Sequence, residues 1–245
     1  MAATVLDVQI LGRVQYQEAY HLQKKLVTER IAGLLPDILL LMEHAHTFTL
    51  GRSGREEQVL IGEEERKRRG IELHRIDSSG DVAYHGPGKL TGWAILNLAE
   101  LQYGYHNYLD KLEEMLLRVL AHFGVPAHRA PARSGVWVPI DRGSDARWTA
   151  QIANVDAVIN DQGITSFGFS LNVNPNLRFF DWIMPYSVHN CSATSLAVEA
   201  SPSIKNEDVI DAVVEVFVDA FNFVPLKHPS LTTVLQIVPD SISVI

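Results

Sequence analysis

Apolar residues recur at helical spacing in three stretches of this chain, which the sequence therefore predicts as helices: residues 16–31, 107–123 and 206–221. Asn107 is the predicted N-cap of the second helix, and Gly33 is suited to end the first. Shorter apolar or alternating runs predict strands. They cover residues 4–11, 38–42, 47–50, 71–76, 82–84, 90–96, 136–138, 152–159 and 164–173. Because groups of strands are interrupted by only a few helices, the pattern favours an α+β fold with one mixed β-sheet flanked by helices.

The polar stretches between these elements predict turns and loops. The sequence GEEERKRRG at 62–70 predicts a short exposed helical turn, and DRGSDARWTA at 141–150 predicts a mobile loop. Residues 223–245 contain three prolines and predict a packed C-terminal tail. Since no repeat, low-complexity tract or linker interrupts the pattern, residues 1–245 are predicted to form a single domain.

The composition limits the functional classes. The 245 residues include 21 Lys and Arg against 29 Asp and Glu, and the formal charge of -8 argues against a protein that binds nucleic acid through a basic field. Cys191 is the only cysteine, so an intrachain disulfide is excluded, as is common in reducing compartments. The N-terminus has no secretory signal pattern, and no apolar run approaches the ~20 residues of a membrane span. We therefore expect a cytoplasmic protein that binds neither nucleic acid nor membranes.

The most specific local motif is Asp81–Gly92, with the sequence DVAYHGPGKLTG. Gly86-Pro87-Gly88 predicts a tight turn after a strand, and its glycines let the backbone approach a ligand closely. Tyr84 and His85 precede the turn. By itself the motif fits two interpretations, a ligand-binding turn and a structural turn with aromatic packing.

Together with its neighbours, this motif resembles the octanoyl-[acyl-carrier-protein]:protein N-octanoyltransferase family of the lipoate pathway, which is related in fold to biotin and lipoate protein ligases. The matching segments keep the family's order and cover most of residues 35–196. They are EHAHTFTLGR at 43–52, IELHRID at 71–77, GDVAYHGPGKLTGWAILNL at 80–98, SGVWV at 134–138, GFSLNVNPNLRFFDWIMP at 168–185 and TSL at 194–196. The resemblance implies the single-domain fold of the biotin/lipoate protein ligases.

The resemblance also implies a reaction and its partners. Members of the family transfer an octanoyl group from acyl carrier protein to a lysine of a lipoyl domain, and they are expected to need no cofactor or metal. A cysteine holds the acyl group as a thioester, and a lysine lowers the pKa of that cysteine. The substrate-binding positions that the resemblance implies are Ser78, Ser79, Gly80, Asp81, Val82, Ala83, Tyr84, His85, Asn154, Val155, Asp156, Gly168, Phe169 and Ser170.

Several residues of the family pattern are replaced in this chain. Tyr186 occupies the position of the family's cysteine, and Gln151 occupies that of the lysine. Ser78-Ser79-Gly80 stands in place of Arg-Gly-Gly, Asp156 in place of a glycine, and Phe167 in place of a histidine. A tyrosine with its reference pKa near 10 is almost wholly protonated at neutral pH, and Gln151 has no charge to lower that pKa. We therefore expect that the chain does not use the family's usual mechanism.

Two hypotheses from different functional classes follow. In the first, the protein is an enzyme that transfers an octanoyl or related acyl group, either through an unusual nucleophile or by direct attack of the acceptor lysine. In the second, it is a catalytically inactive relative that binds an acyl chain, a carrier protein or a lipoyl domain. The sequence leaves both open.

Cys191 is a candidate for a substitute nucleophile. It follows Tyr186 by five residues, and His189 lies two residues before it, so both side chains share one face if the segment is extended. The register from Pro185 to Thr194 shows no slippage that would bring Cys191 to the vacant position. The favoured interpretation is therefore a small buried side chain.

Three further groups have structural interpretations. His44 and His46 have the spacing of metal ligands on a strand, but no acidic or cysteine cluster completes a site. Lys89, where the family often has glutamine, is expected to point to solvent, and the alternative is a role in binding an acidic carrier protein. The glycines of the segment from Gly51 to Gly54 fit no phosphate-binding spacing.

Overall fold

A computed structural model of the protein describes residues 4–130, 133–140, 148–185 and 192–226. The strands in these ranges are β1 (Thr4–Val14), β2 (Asp37–His44), β3 (Thr47–Leu50), β4 (Glu72–Arg75), β5 (Val82–His85), β6 (Lys89–Ile95), β7 (His128–Ala130), β8 (Arg133–Ile140), β9 (Trp148–Ile159), β10 (Thr165–Asn172), β11 (Ser192–Ala193) and β12 (Phe223–Pro225). The α-helices are α1 (Tyr16–Ile31), α2 (Glu63–Arg68), α3 (Tyr105–His122), α4 (Leu196–Glu199) and α5 (Asn206–Phe221). Short 3-10 helices cover Glu56–Gln58 and Leu177–Trp182.

The larger sheet has nine strands within the described ranges and is mixed, as the sequence predicts. Its strands lie in the order β12-β1-β2-β6-β10-β9-β8-β7, and β11 pairs with β9 beside this path. β1 is parallel to both of its neighbours. From β2 to β7 each pair along this path is antiparallel, which confirms the antiparallel group predicted at 136–138, 152–159 and 164–173.

A second sheet of three strands lies apart from the first and has the order β4-β3-β5. The sequence predicts these strands but assigns them to one sheet, and that assignment is wrong. Their small apolar core includes Phe48, Leu50, Val82, Tyr84 and Ile183. Because this core is separate from those of the larger sheet, the smaller sheet can face the larger one across a space.

Helices cover both faces of the larger sheet. On one face α3 and α5 pack against Leu90, Ala94 and Leu96, and on the other α1 packs against Trp93 and Ile95. β6 therefore lies in the middle of the molecule, and all seven of its residues are buried.

Two of the three predicted helices have the predicted ends, and the third, α3, differs at both ends. α1 and α5 have the predicted bounds, and Gly33 follows α1 with a φ of 70°, in the left-handed region that glycine adopts freely. α3 begins at Tyr105 with Gly104 as its N-cap, so the prediction of Asn107 as the cap is wrong. Asn107 lies inside the first turn instead.

The predicted C-terminal tail is described only in part. The predicted tail begins with β12, which pairs with β1, while residues 227–245 and 141–147 lie outside the described ranges. Across those ranges, every helix is too short or too polar to span a lipid bilayer.

Candidate functional site

A cavity of about 370 Å³ lies between the larger and the smaller sheet. β6, β9 and β10 form one wall, and β3, β5 and the loop before β5 form the other. The volume is within the range of roughly 300–1,000 Å³ that small-molecule sites have. Every position that the resemblance implies for substrate binding lines this cavity, namely residues 78–85, 154–156 and 168–170, and Gln151 does so as well.

Strand alternation decides which side chains of the larger sheet reach the cavity. Lys89, Thr91 and Trp93 are each two residues apart on β6, so they share one face of the sheet. Cross-strand pairing places Ser170 beside Thr91, and Asn154 beside Ser170. These three strands therefore present polar side chains to the cavity from a sheet that is otherwise largely apolar.

The exposure of the lining residues distinguishes a mouth from a closed end. The exposed lining residues are Ser79, Gly80, Arg133 and Ser134. The half-buried ones include Tyr105, Gln151, Asn154 and Asp156. The buried ones include Tyr16, His85, Lys89, Thr91 and Trp93. Gln151, at the position of the family's lysine, thus lies near the mouth, and a second group of polar residues lies at the closed end.

The glycines of the turn between β5 and β6 are required by close packing. Gly88 has a φ of 80°, and a Cβ there would lie 2.2 Å from the carbonyl oxygen of Asn174. A Cβ at Gly86 would lie 2.0 Å from the hydroxyl oxygen of Tyr84. The structural interpretation accounts for these glycines, while the residue that follows the turn, Lys89, enters the cavity.

Lys89 is buried, so the expectation that it points to solvent is wrong. The residue is 5% exposed, and its Nζ donates a hydrogen bond of 2.7 Å to the backbone carbonyl oxygen of Tyr84. The same nitrogen lies 5.4 Å from the ring centroid of Phe180. Burial lowers the pKa of Lys89 to about 7, because a charged ammonium loses its hydration there. At neutral pH the amine is therefore divided between its charged and neutral forms.

Two buried histidines stand near Lys89 and are neutral at physiological pH. Burial lowers the pKa of His44 to about 4 and holds the pKa of His85 well below its ordinary value, and the charge of Lys89 contributes to both shifts. The ring centroids of the two histidines are 5.6 Å apart, and Tyr16 lies 5.0 Å from His85. His46 instead lies outside this group, with its Nδ1 2.9 Å from the hydroxyl of Tyr84. No cluster of three or more potential metal ligands occurs in the ranges that the structure describes.

Asp156 connects the loop before β5 to β9. Its Oδ1 accepts a hydrogen bond of 2.5 Å from the hydroxyl of Ser79 and one of 3.3 Å from the backbone N–H of the same residue. Its Oδ2 lies beside Gly80, where an added Cβ would be in ordinary van der Waals contact with it at 3.4 Å. Burial raises the pKa of Tyr16 and of Tyr105, and the charge of Asp156 adds to both shifts. The carboxylate therefore fixes the loop at the mouth of the cavity.

Gln151 is held by polar neighbours at the mouth. Its Nε2 donates to the carbonyl oxygen of Ser134 at 3.3 Å and lies 3.5 Å from Oδ1 of Asn154. Its backbone carbonyl oxygen accepts a hydrogen bond of 3.0 Å from the backbone N–H of Thr194. The amide side chain adds no charge to this part of the cavity.

Two of the predicted catalytic positions cannot be placed in this arrangement. Tyr186 and Cys191 lie outside the described residues, although the preceding Pro185 lines the cavity. Sequence reasoning missed the closed end, which is formed chiefly by Tyr16, Lys89, Thr91, Trp93 and Phe180. The alternation of Lys89, Thr91 and Trp93 in the sequence was a usable signal, but the charge of Lys89 favoured an exposed position.

Comparison with known proteins identifies the scaffold. The model of the lipoyl protein ligase A/B catalytic domain matches residues 15–218. The chain belongs to the lipoyl protein ligase A/B catalytic domain family. It is 38% identical over 222 residues to an octanoyltransferase of Acidobacterium capsulatum, covering 87% of this chain and 89% of that protein. It is 34% identical over 222 residues to an octanoyltransferase of Chloroflexus aggregans, covering 91% and 97%.

Solved structures agree on the fold of this lipoyl protein ligase A/B domain. A bipartite lipoate protein ligase from Thermoplasma acidophilum superimposes with a TM-score of 0.67 at 14% identity, over 93% of this chain and 88% of that one. A lipoate-protein ligase A bound with ATP gives a TM-score of 0.65 at 15% identity, over 91% and 90%. The predicted resemblance and the fold class are therefore confirmed.

Proposed function

We propose that this lipoyl protein ligase A/B domain binds a medium-chain acyl thioester in its cavity and promotes transfer of the octanoyl group to a lysine of a lipoyl domain, in lipoate biosynthesis. The observation that carries the proposal is the cavity itself. All positions that the family resemblance assigns to substrate binding line this cavity, on β9 and β10 of the larger sheet and on β5 and its preceding loop in the opposite wall. The two relatives are named octanoyltransferases, which supports the octanoyl group, and the carrier-protein donor and lipoyl-domain acceptor are those that the family resemblance implies.

Direct attack by the acceptor is the route that the residues favour. The amine of the lipoyl-domain lysine attacks the thioester carbonyl, the new C–N bond forms as the C–S bond breaks, and the amine's proton leaves with the carrier thiolate. Gln151 supplies no charge to activate a nucleophile of the chain. The protein's contribution is then to hold two substrates in reactive geometry, which alone accelerates a bimolecular step strongly.

The test is intact-mass spectrometry after incubation of the protein with octanoyl carrier protein and a lipoyl domain. We expect octanoylation of the lipoyl domain, no adduct on the protein, and the same result with Cys191→Ala. A hydroxylamine-labile adduct that disappears in Cys191→Ala would instead assign the nucleophile to Cys191. A lipoyl domain modified no faster than in the absence of the protein would contradict the proposal.

A second candidate function is favoured by the bond between Asp156 and Ser79. This contact fixes the loop at the mouth, and together with the neutral Gln151 it suits a relative that binds the acyl donor without turnover. The double variant Tyr186→Cys with Gln151→Lys separates the two candidates. If the wild type fails to transfer while the double variant gains a stable octanoyl adduct, binding without turnover is the better account.

A further inference from the structure

Three polar side chains at the closed end of the cavity have unused hydrogen-bonding capacity. Lys89 carries up to three N–H donors, and the one hydrogen bond found for its ammonium among the described residues goes to Tyr84. Thr91 Oγ1 and His85 Nδ1 have no partner in the described part of the chain. All three residues line the cavity and are at least nine-tenths buried, with exposures of 5%, 1% and 8%.

Polar side chains with unused hydrogen-bonding capacity raise the free energy of the folded protein when the cavity is empty. They stabilise the complex when a ligand in the cavity supplies the missing hydrogen bonds. A buried donor or acceptor without a partner loses its hydration and gains nothing in return. Three of them around one cavity therefore indicate a ligand with oxygen atoms at this end, and not only an apolar chain.

The charge at the closed end indicates which kind of oxygen-containing group would bind there. The described acidic residues form no ion pair with Lys89, and burial is the cause that lowers its pKa. His44 and His85 are neutral, so the closed end offers a single positive charge. One positive charge matches a monoanion such as a carboxylate, whereas a phosphate dianion would leave an excess charge buried. The neighbouring rings of Trp93 and Phe180 favour an aliphatic chain attached to it.

We propose that Lys89, Thr91 and His85 form a carboxylate site at the closed end of the cavity, and that its ligand is an aliphatic acid of medium chain length. This inference rests on the proposed acyl-binding cavity and specifies what the deep end of that cavity recognises. The carboxylate has two possible sources. It is the head group of a free fatty acid that enters head first, or the far end of a dicarboxylic acyl chain whose reactive end lies near Gln151.

The first test needs no variant. Isothermal titration calorimetry at pH 6.5 compares octanoate with octanamide, which has the same chain and a neutral head. We expect octanoate to bind the wild-type protein at least tenfold more tightly. Equal affinities would overturn the inference, because they would show that Lys89 does not form a favourable ionic interaction with the carboxylate.

Variants then assign the effect to the residues. In Lys89→Met the advantage of octanoate over octanamide is expected to disappear, and in Thr91→Val it is expected to shrink several-fold. Lys25→Met, at an exposed position of α1, is the matched control and is expected to keep the full advantage. A Lys89→Met protein that melts cooperatively and still prefers octanoate would overturn the assignment. If Lys89→Met does not fold, Lys89→Gln takes its place, with the same two outcomes.

The monomethyl ester of octanedioic acid distinguishes the two sources of the carboxylate. Tighter binding of this ester than of octanoate would assign the site to a dicarboxylic chain, and tighter binding of octanoate would assign it to a free acid. Octanoyl pantetheine serves to separate this inference from the proposed function. If octanoyl pantetheine binds but the acids bind no better than octanamide, only the carboxylate site fails. If none of these compounds binds, both fail.

Discussion

At the scale of single residues, Lys89 is the group whose behaviour depends most on its surroundings. The folded protein binds its proton with a pKa of about 7, whereas the ordinary value is 10.5. The unfolded chain therefore holds one more proton between these two pH values, and the stability of the fold rises with pH across this window. The titratable groups facing Lys89 stay neutral there, because burial lowers the pKa of His44 and His85 and raises those of Tyr16 and Tyr84.

Lys89→Met is expected to remove this pH dependence. The free energy of unfolding of the wild type, relative to the variant, should rise by up to about 1.4 kcal/mol per pH unit between pH 7 and 10. Urea denaturation at pH 6.5, 8 and 9.5 measures the difference in free energy of unfolding between the two proteins. The other titratable groups are the same in both, so their contributions cancel. Lys25→Met should follow the wild type at every pH. A constant difference between wild type and Lys89→Met would show that Lys89 keeps its ordinary pKa.

At the scale of elements, the loop before β5 and the strand β9 are joined through one carboxylate. Asp156 accepts two hydrogen bonds from Ser79, and hydrogen bonds to charged groups contribute about 1.5–3 kcal/mol. The loop at the mouth of the cavity is therefore held by Asp156 and not only by its own turn geometry.

Asp156→Gly, which restores the family's residue, is expected to loosen this loop. Loss of about 1.5 kcal/mol corresponds to roughly tenfold faster hydrogen exchange, and the N–H of Ser79 should show it. Exchange of the helix α5, far along the chain, should remain unchanged. Asp156→Asn keeps an acceptor without the charge and should give a smaller acceleration. Unchanged exchange of residues 78–80 in a folded Asp156→Gly protein would refute this role.

The prediction of elements from the sequence succeeded where a local period decides the structure. The apolar stripe of α1 and α5 predicted both helices with the bounds that the structure has, since helix formation follows one amphipathic face. The start of α3 was misassigned because asparagine is a common cap, whereas here the chain turns at Gly104. Residue type alone does not reveal which of several neighbouring residues has the extended backbone of a cap.

At the scale of the whole molecule, one buried ion pair connects α1 to the larger sheet. Arg30 donates from Nε to Oδ1 of Asp37 at 2.9 Å, and its Nη2 donates to Glu100 at 2.6 Å. The Asp37 side chain is fully buried, while that of Glu100 is 56% exposed. The same Oδ1 of Asp37 accepts the backbone N–H of Asn97, so helix, strand and the segment after β6 meet at one carboxylate.

Arg30→Met is expected to destabilise the fold by about 3 kcal/mol, because it leaves the buried carboxylate of Asp37 without its cation. Methionine keeps the length and helix propensity of the side chain. Glu100→Gln removes the exposed partner and should cost less than about 1 kcal/mol. Chemical denaturation of the three proteins at pH 7 measures both values. Equal costs for the two variants would show that burial of the pair is unimportant.

The sequence by itself determined the main helices, most of the longer strands and the family, and through the family resemblance one part of the positions that line the cavity. The periodicity that predicts helices and strands is a local property of the sequence. The motif from Asp81 to Gly92 and the neighbouring segments match the family in their order along the chain, so the family could also be recognised without the fold. The identities at 151 and 156, which differ from the family pattern, were also readable directly.

Only the tertiary structure decided the pairing of strands and the environment of Lys89. The alternation of apolar and polar residues predicts a strand but does not specify which other strand it pairs with. The separation of β3, β4 and β5 into a second sheet therefore followed from contacts between distant segments. The charge of Lys89 suggested solvent, because an isolated lysine is costly to bury. Its place at the start of β6, between the two sheets and beside Phe180, overrode that preference and lowered its pKa. A side chain's pKa depends on what surrounds it in space, and for Lys89 those neighbours come from segments far apart in the chain.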